Sequence, residues 1–264
     1  MGDVLEDFEP WLALWNLVPE GDVMSMPVTR SRLLPVRAGR RPAMLKLAHS
    51  ADERRGGAIM AWWNGEGAAP VLAAQDEALL MVRASGGALT QEVLAGRDEV
   101  ATAILCQVLA RLHARREAMP PAPPLATQFA ALIESSDAAL ARARKVALAL
   151  LETQCDEVLL HGDVHHSNIL DFGADGWLAI DPWGVVGERA YDYANIFRNP
   201  DLASVTPERF AARVAQISAA ADLEPARLSA WAHAHAGLSM AWDAQDGTDS
   251  SASRALLAII ERAA

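Results

Sequence analysis

Two carboxylates and an amide stand close together in residues 160–182. Asp163 and Asn168 share the loop Leu160-His161-Gly162-Asp163-Val164-His165-His166-Ser167-Asn168-Ile169-Leu170, and Asp181 ends the next apolar run as Ile180-Asp181-Pro182. An acid in the first position can accept or steer the proton of a hydroxyl group. An amide oxygen and a second carboxylate are hard donors for an octahedral cation such as Mg²⁺, which takes few protein oxygens and fills its shell with phosphates and water. The set suits phosphoryl transfer, where catalysis rests on positioning and charge neutralisation.

Lys46 lies between Leu45 and Leu47 in an apolar strand. It either meets a partner or faces solvent from an edge. The helix expected over about 52–63 offers Glu53 as the partner, although an acid in a first helical turn is also what the helix dipole favours. Asp171-Phe172-Gly173, with Ala174-Asp175-Gly176, reads as the turn of a hairpin joining 168–170 to 177–180, so Asp181 ends the second strand.

The elements that must hold these residues fall into two parts. An amphipathic helix is expected over 5–17, then short strands at 24–28, 33–36 and 43–47, the last two joined by the basic turn Arg37-Pro42. Residues 78–82 read as a strand running into the glycine-bearing stretch Arg83-Ala84-Ser85-Gly86-Gly87. Beyond it the pattern turns helical: 91–118, ending at the proline run 120–124; 127–152; a start at Thr206-Pro207; and 223–240. Asp243, Asp246 and Asp249 form an acidic loop near the C-terminus. The fold class expected is α+β, with a strand-rich part over 1–85 and a larger helical part over 86–264.

Composition narrows the function classes. A chain of 264 residues, 52% hydrophobic, can bury a full core. Two cysteines, Cys106 and Cys155, suit a reducing compartment better than a disulfide scaffold, and no apolar run approaches the roughly 20 residues of a membrane span. The acidic start lacks a signal-peptide pattern, so a cytoplasmic protein is expected. A formal net charge of −11 argues against nucleic acid and would attract a cationic small molecule.

His-Gly-Asp-x-x-x-x-Asn followed by Ile-Asp-Pro resembles the aminoglycoside phosphotransferase branch of the protein-kinase-like fold. The resemblance implies a bilobal enzyme using ATP and Mg²⁺. Asp163 matches the catalytic base, Asn168 and Asp181 the metal ligands, and Lys46 with Glu53 the phosphate-holding pair. Val82 and Ala84 would read the adenine edge with backbone groups, and Asp192 would tie down the catalytic loop. No Gly-x-Gly-x-x-Gly loop precedes Lys46; Thr29-Arg30-Ser31-Arg32 is the candidate phosphate cover, with Ser31 as a cofactor contact, and ATP and GTP both stay open. The stretches 161–166, 180–188, 83–86 and Trp62-Trp63 are most similar to the streptomycin 6-kinase and hydroxyurea phosphotransferase subgroup. That similarity implies transfer to a hydroxyl of an aminoglycoside of the streptomycin type, with Glu188, Asp243 and Asp246 as acids for a cationic substrate. Alternatives are a kinase for another hydroxylated or amino metabolite, a silent nucleotide-binding scaffold, and a zinc hydrolase built on His161, His165, His166 and Asp163; the last leaves Lys46, Asn168 and Asp181 without a task.

Overall fold

The structure, a computed structural model, describes residues 3–25 and 31–263, with side chains from residue 5. Its first part runs α1 (Asp3–Glu6), α2 (Glu9–Leu14), β1 (Leu17–Pro19), β2 (Met24–Ser25), β3 (Arg32–Ala38), β4 (Arg41–Leu47), α3 (Ala51–Trp63), β5 (Val71–Gln75) and β6 (Ala78–Val82). The strands form an antiparallel sheet in the order β1-β3-β4-β6-β5, with β2 also on β3. The second part holds α4 (Thr90–Leu94), α5 (Asp98–Leu112), α6 (Ala130–Glu134), α7 (Ala141–Glu152), β7 (Glu157–Leu160), β8 (Ile169–Asp171), β9 (Trp177–Ala179), β10 (Val185–Glu188), α8 (Pro207–Ala221), α9 (Pro225–Asp246) and α10 (Ser251–Ala263).

Alternation along the sheet divides its two faces. Leu34 and Val36 of β3, Ala43, Leu45 and Leu47 of β4, and Ala78 and Leu80 of β6 pack beneath Phe8 and Trp11 in a small core. Leu79 and Met81 point the other way, into the large core that α3 shares with the second part. Because side chains in a strand alternate with period 2, Lys46 lies on the same face as Met44, opposite Leu45 and Leu47. It is 7% exposed.

Several expected helices are interrupted, each for a local reason. The single helix expected over 5–17 is two, because Pro10 starts a new one, and Leu17 already belongs to β1. The run 91–118 breaks at Gly96 (φ +79°) and stops at Leu112, whose carbonyl accepts from Trp63 Nε1 and Arg116 instead of a further helical turn. The run 127–152 breaks before Asp137, which caps the next turn through Ala139 N–H at 2.8 Å. At the other extreme α9 is longer than expected: Asp243 and Asp246 are helical, and the loop begins only at Gly247 (φ +69°). Of the strand expected at 24–28, residues 26–28 lie outside the described residues. Among the described residues no helix is long and apolar enough to cross a membrane.

Candidate active site

The loop between β7 and β8 hangs from one buried carboxylate. Asp192, 2% exposed, accepts the backbone N–H of His161 at 2.9 Å and of Gly162 at 2.8 Å, and lies 2.8 Å from His113 Nε2. Gly162 takes φ +82°, a conformation glycine adopts without a Cβ penalty. His161 braces the loop from inside. Its Nε2 lies 2.9 Å from Ile180 O, its Nδ1 accepts from Asp163 N at 3.3 Å, and its ring stacks on Trp63. Burial pushes the His161 pKa down and keeps the ring neutral.

The second strand returns the last carboxylate to the same place. β8 and β9 pair as a hairpin in which Phe172 N donates to Gly176 O at 2.8 Å, so Asp171-Phe172-Gly173 is a turn, as its order in the chain suggests. Ile180 N donates to Asn168 O at 2.9 Å and sets Asp181 beside the loop. Asp181 takes φ +60°, a left-handed conformation that Asp tolerates better than most residues.

These elements bring Lys46, Asp163, Asn168 and Asp181 to the wall of one cavity of about 640 Å³, the size of a small-ligand site. Lys46 Nζ is 2.5 Å from Asp181 Oδ1 and 3.4 Å from Glu53 Oε1. Glu53 Oε2 meanwhile accepts from the N–H groups of His49 at 2.6 Å and Ser50 at 3.3 Å, while Ser50 Oγ accepts from Glu53 N. The two roles open for Glu53 are thus both filled, one by each oxygen, in a capping box whose acid also faces the lysine. Asn168 donates from Nδ2 to Asp163 O at 3.0 Å, which turns its amide oxygen the other way. That oxygen and the Asp181 carboxylate are the hard donors a Mg²⁺ ion prefers, so the residues fit the cation.

Asp163 lies within this group with its side chain 35% exposed. Burial first, and the Asp181 charge second, push its carboxyl up to about 7. His165 Nε2 is 3.7 Å from Asp163 Oδ2, but burial brings the His165 pKa down to about 4, so that contact carries no imidazolium charge. His166 is fully buried, and burial lowers it to about 3. The zinc reading fails on this geometry. His161 spends both nitrogens on the backbone, and among the described residues no three His, Cys, Asp or Glu side chains converge as a metal cage.

The remaining expected contacts divide. Ser31 and Met81 line the cavity, and Val82 and Ala84 follow Met81 into the connection to the second part. Thr29 and Arg30 lie outside the described residues, and Arg32 pairs with Asp7 and covers the Phe8 ring. Asp243 follows Trp242, whose ring meets the cavity-lining Trp183 at 5.5 Å. Its Oδ1 accepts from Thr248 at 2.8 Å, whereas its buried Oδ2 makes no hydrogen bond. Asp246 is exposed in the last turn of α9.

Glu188 requires a correction. It pairs with Glu157 at the end of the β7–β10 ribbon remote from Leu160, where the loop begins, and is 2% exposed. Arg227 holds it at 2.5 and 2.6 Å. It ties α9 to the ribbon and does not reach the cavity. A lone acid after a glycine gives no sign of an arginine 39 residues later. Asn195, not legible in the sequence as a site residue, donates to Asp163 Oδ1 at 3.0 Å; its place three residues after Asp192 is the one sign of it there.

Residues 14–247 match the family described as aminoglycoside/hydroxyurea antibiotic resistance kinase. The chain belongs to that family. Among its relatives, streptomycin 3″-kinase of Klebsiella pneumoniae is 47% identical over 243 residues, covering 88% of this chain and 91% of the relative. Streptomycin 6-kinase of Streptomyces griseus is 27% identical, covering 88% and 80%, and hydroxyurea phosphotransferase of Kitasatospora aureofaciens is 26% identical, covering 90% and 72%. Family membership agrees with the fold. A thermostable mutant of aminoglycoside phosphotransferase APH(4)-Ia, in ternary complex with ADP and hygromycin B, superposes with a TM-score of 0.70 at 16% identity, covering 97% of this chain and 98% of that one. A choline/ethanolamine kinase family protein from Mesorhizobium loti superposes at 0.67 with 14% identity, covering 96% and 90%. The bilobal kinase-like architecture expected from the loop motif is the one found.

Proposed function

We propose that this chain transfers the γ-phosphoryl group of ATP to a hydroxyl of streptomycin, and that the acceptor is the 3″-hydroxyl. The observation that carries this reading is the 47% identity to a streptomycin 3″-kinase along nearly the whole of both chains. The streptomycin 6-kinases, at 26–27%, support the substrate more than the position.

The roles follow from the cavity. Lys46, held toward the cavity by Glu53 and Asp181, binds the phosphates. Asn168 and Asp181 would hold Mg²⁺, which would supply charge neutralisation at the phosphate oxygens. Asp163 orients the acceptor hydroxyl and takes its proton as the new P–O bond forms and ADP leaves. Most of the rate comes from this alignment and charge stabilisation. The backbone of Val82 and Ala84 reads the base, with Ser31 above the phosphates. Residues 1–85 serve as the nucleotide lobe and 86–264 as the substrate lobe. Asp243, one of whose oxygens is buried without a hydrogen bond, is the C-terminal acid proposed to meet a guanidinium or ammonium group. The net charge of −11 favours approach of such a cation.

The test is streptomycin-dependent ADP release with MgATP, comparing wild type with Asp163→Asn, followed by assignment of the phosphorylated position in the product. Release requiring both streptomycin and Asp163 supports the reading. MgATP binding without release moves the search to other hydroxyl compounds, and a product phosphorylated elsewhere than 3″ removes the positional part.

A further inference from the structure

Asp163 is held by its side chain as well as its backbone. Asn195, 3% exposed, donates from Nδ2 to Asp163 Oδ1 at 3.0 Å. An amide can be built either way round, so its other end decides the orientation. Asn195 Oδ1 accepts from Arg198 Nε at 3.1 Å and from Asn199 Nδ2 at 3.0 Å. Arg Nε can only donate. Asn199 Nδ2 also donates to Asn195 O at 2.9 Å, so that amide is oriented too. The Asn195 oxygen is therefore committed to two donors, and its N–H group must face the carboxylate.

Both anchors of Asp163 come from one stretch of chain. Asp192, in the 3₁₀ turn Arg189–Tyr193, holds the loop backbone, and Asn195, opening the turn Asn195–Arg198, holds the carboxylate. We infer that Asn195 is a positioning residue that occupies Asp163 Oδ1, fixes the plane of the carboxylate, and leaves Oδ2 as the oxygen that meets the acceptor hydroxyl. Arg198 and Asn199 hold Asn195 in turn. The inference rests on the phosphotransfer reading above.

Three variants test it: Asn195→Ala, Asn195→Asp and the pair Asn195→Ala with Asp163→Asn. Asn195→Asp keeps the size of the side chain and an acceptor for Arg198 and Asn199 but has no donor for Asp163, so it carries the test should the alanine variant fold poorly. Either single change is expected to lower kcat by about 10- to 100-fold, the scale of a misaligned general base, with KM for MgATP and for streptomycin within about threefold of wild type. Combined with Asp163→Asn, Asn195→Ala is expected to add no further loss, because it acts through that carboxylate. Unchanged kcat in both single variants, a loss that multiplies with that of Asp163→Asn, or a raised KM at constant kcat would overturn it. The same proteins are compared for MgATP hydrolysis in the absence of an acceptor, where water would take the place of the hydroxyl. That reaction judges Asn195 even when wild type leaves streptomycin untouched, so the two readings fail separately.

Discussion

Lys46 Nζ stands between two carboxylates, 2.5 Å from Asp181 Oδ1 and 3.4 Å from Glu53 Oε1. One comes from the hairpin of the second part and the other from the first turn of α3, so a single ammonium group joins three elements. Glu53 also completes the capping box of α3, and the two tasks can be separated by substitution. Glutamine retains the cap but not the charge; alanine retains neither. Glu53→Gln is expected to lower kcat/KM for MgATP by about tenfold with little change in Tm, and Glu53→Ala to lower both, with a stability loss of about 1 kcal/mol. Lys46→Ala is expected to cost about 100-fold or more in kcat/KM. Steady-state kinetics with thermal melting checks the three together; equal melting losses for both Glu53 variants would remove the cap from the account.

Gly56 sets how closely α3 approaches the Asp181-Pro182 segment. A Cβ at this position would lie 2.3 Å from Pro182 O, a backbone atom that cannot rotate aside. Arg55 Nε, donating to Gly184 O at 3.1 Å, ties the same two segments. Gly56→Ala is expected to push α3 outward, costing about 1–3 kcal/mol of stability and lengthening the Lys46–Asp181 contact. Turnover should fall at least about tenfold, as for other displacements of about 1 Å in an aligned site. A variant with wild-type Tm and kcat would show that the helix can move without consequence.

The carboxyl of Asp163, pushed up to about 7 by burial and then by Asp181, makes stability depend on pH in a definite direction. In the unfolded chain the group ionises near the usual value of about 4, whereas in the folded protein it holds its proton to about 7. Folding therefore takes up a proton between these values, and stability falls as pH rises through that window. Asp163→Asn removes the effect. Its Tm advantage over wild type should be small at pH 4 to 5, grow to pH 7 and level off above it. Because the side chain is 35% exposed, water screens much of the cost, and about 1–2 kcal/mol is expected at pH 8. Melting curves of the metal-free proteins from pH 5 to 8 decide this, and a difference that does not change with pH contradicts it.

Glu188, held by Arg227, should behave as scaffold. Glu188→Gln is expected to lower stability by about 2 kcal/mol, since it leaves a partly buried guanidinium without its anion, while KM for streptomycin stays unchanged. Asp243→Asn is the comparison: it should raise that KM with less effect on Tm. If Glu188→Gln raised KM at unchanged stability, the acid would have to be returned to the substrate side.

Some features legible in the sequence reach far along the chain, as where Asp192 holds the loop at His161 and Gly162, but most concern neighbours. The loop from His161 to Asn168, the hairpin turn at 171–176 and the helix start at Thr206-Pro207 were legible because a capping oxygen, a glycine or a proline acts within a few residues of itself. Long helical runs read too far for a related reason. Periodicity continues through Gly96 and through Ser135-Ser136-Asp137, whereas the helices do not, because Gly96 takes a left-handed φ of +79° and the side chains of Ser135 and Asp137 accept the backbone N–H groups of Asp137 and Ala139. Asp243 and Asp246 look like loop acids in the sequence because Gly247, which ends α9, lies so close behind them.

By itself the sequence determined which residues could do the chemistry: an acid, an amide, a second acid and a strand lysine, in an order that suits phosphoryl transfer. Only the tertiary structure decided how each is held. Glu188 turns to Arg227, Glu53 divides its oxygens between a helix cap and Lys46, and Asn195 faces Asp163 because Arg198 and Asn199 claim its other end. The reason is one of range. A side chain's candidate chemistry is intrinsic to its type, but its charge and direction depend on partners that only packing brings within 3 to 4 Å, where hydrogen bonding and ion pairing operate.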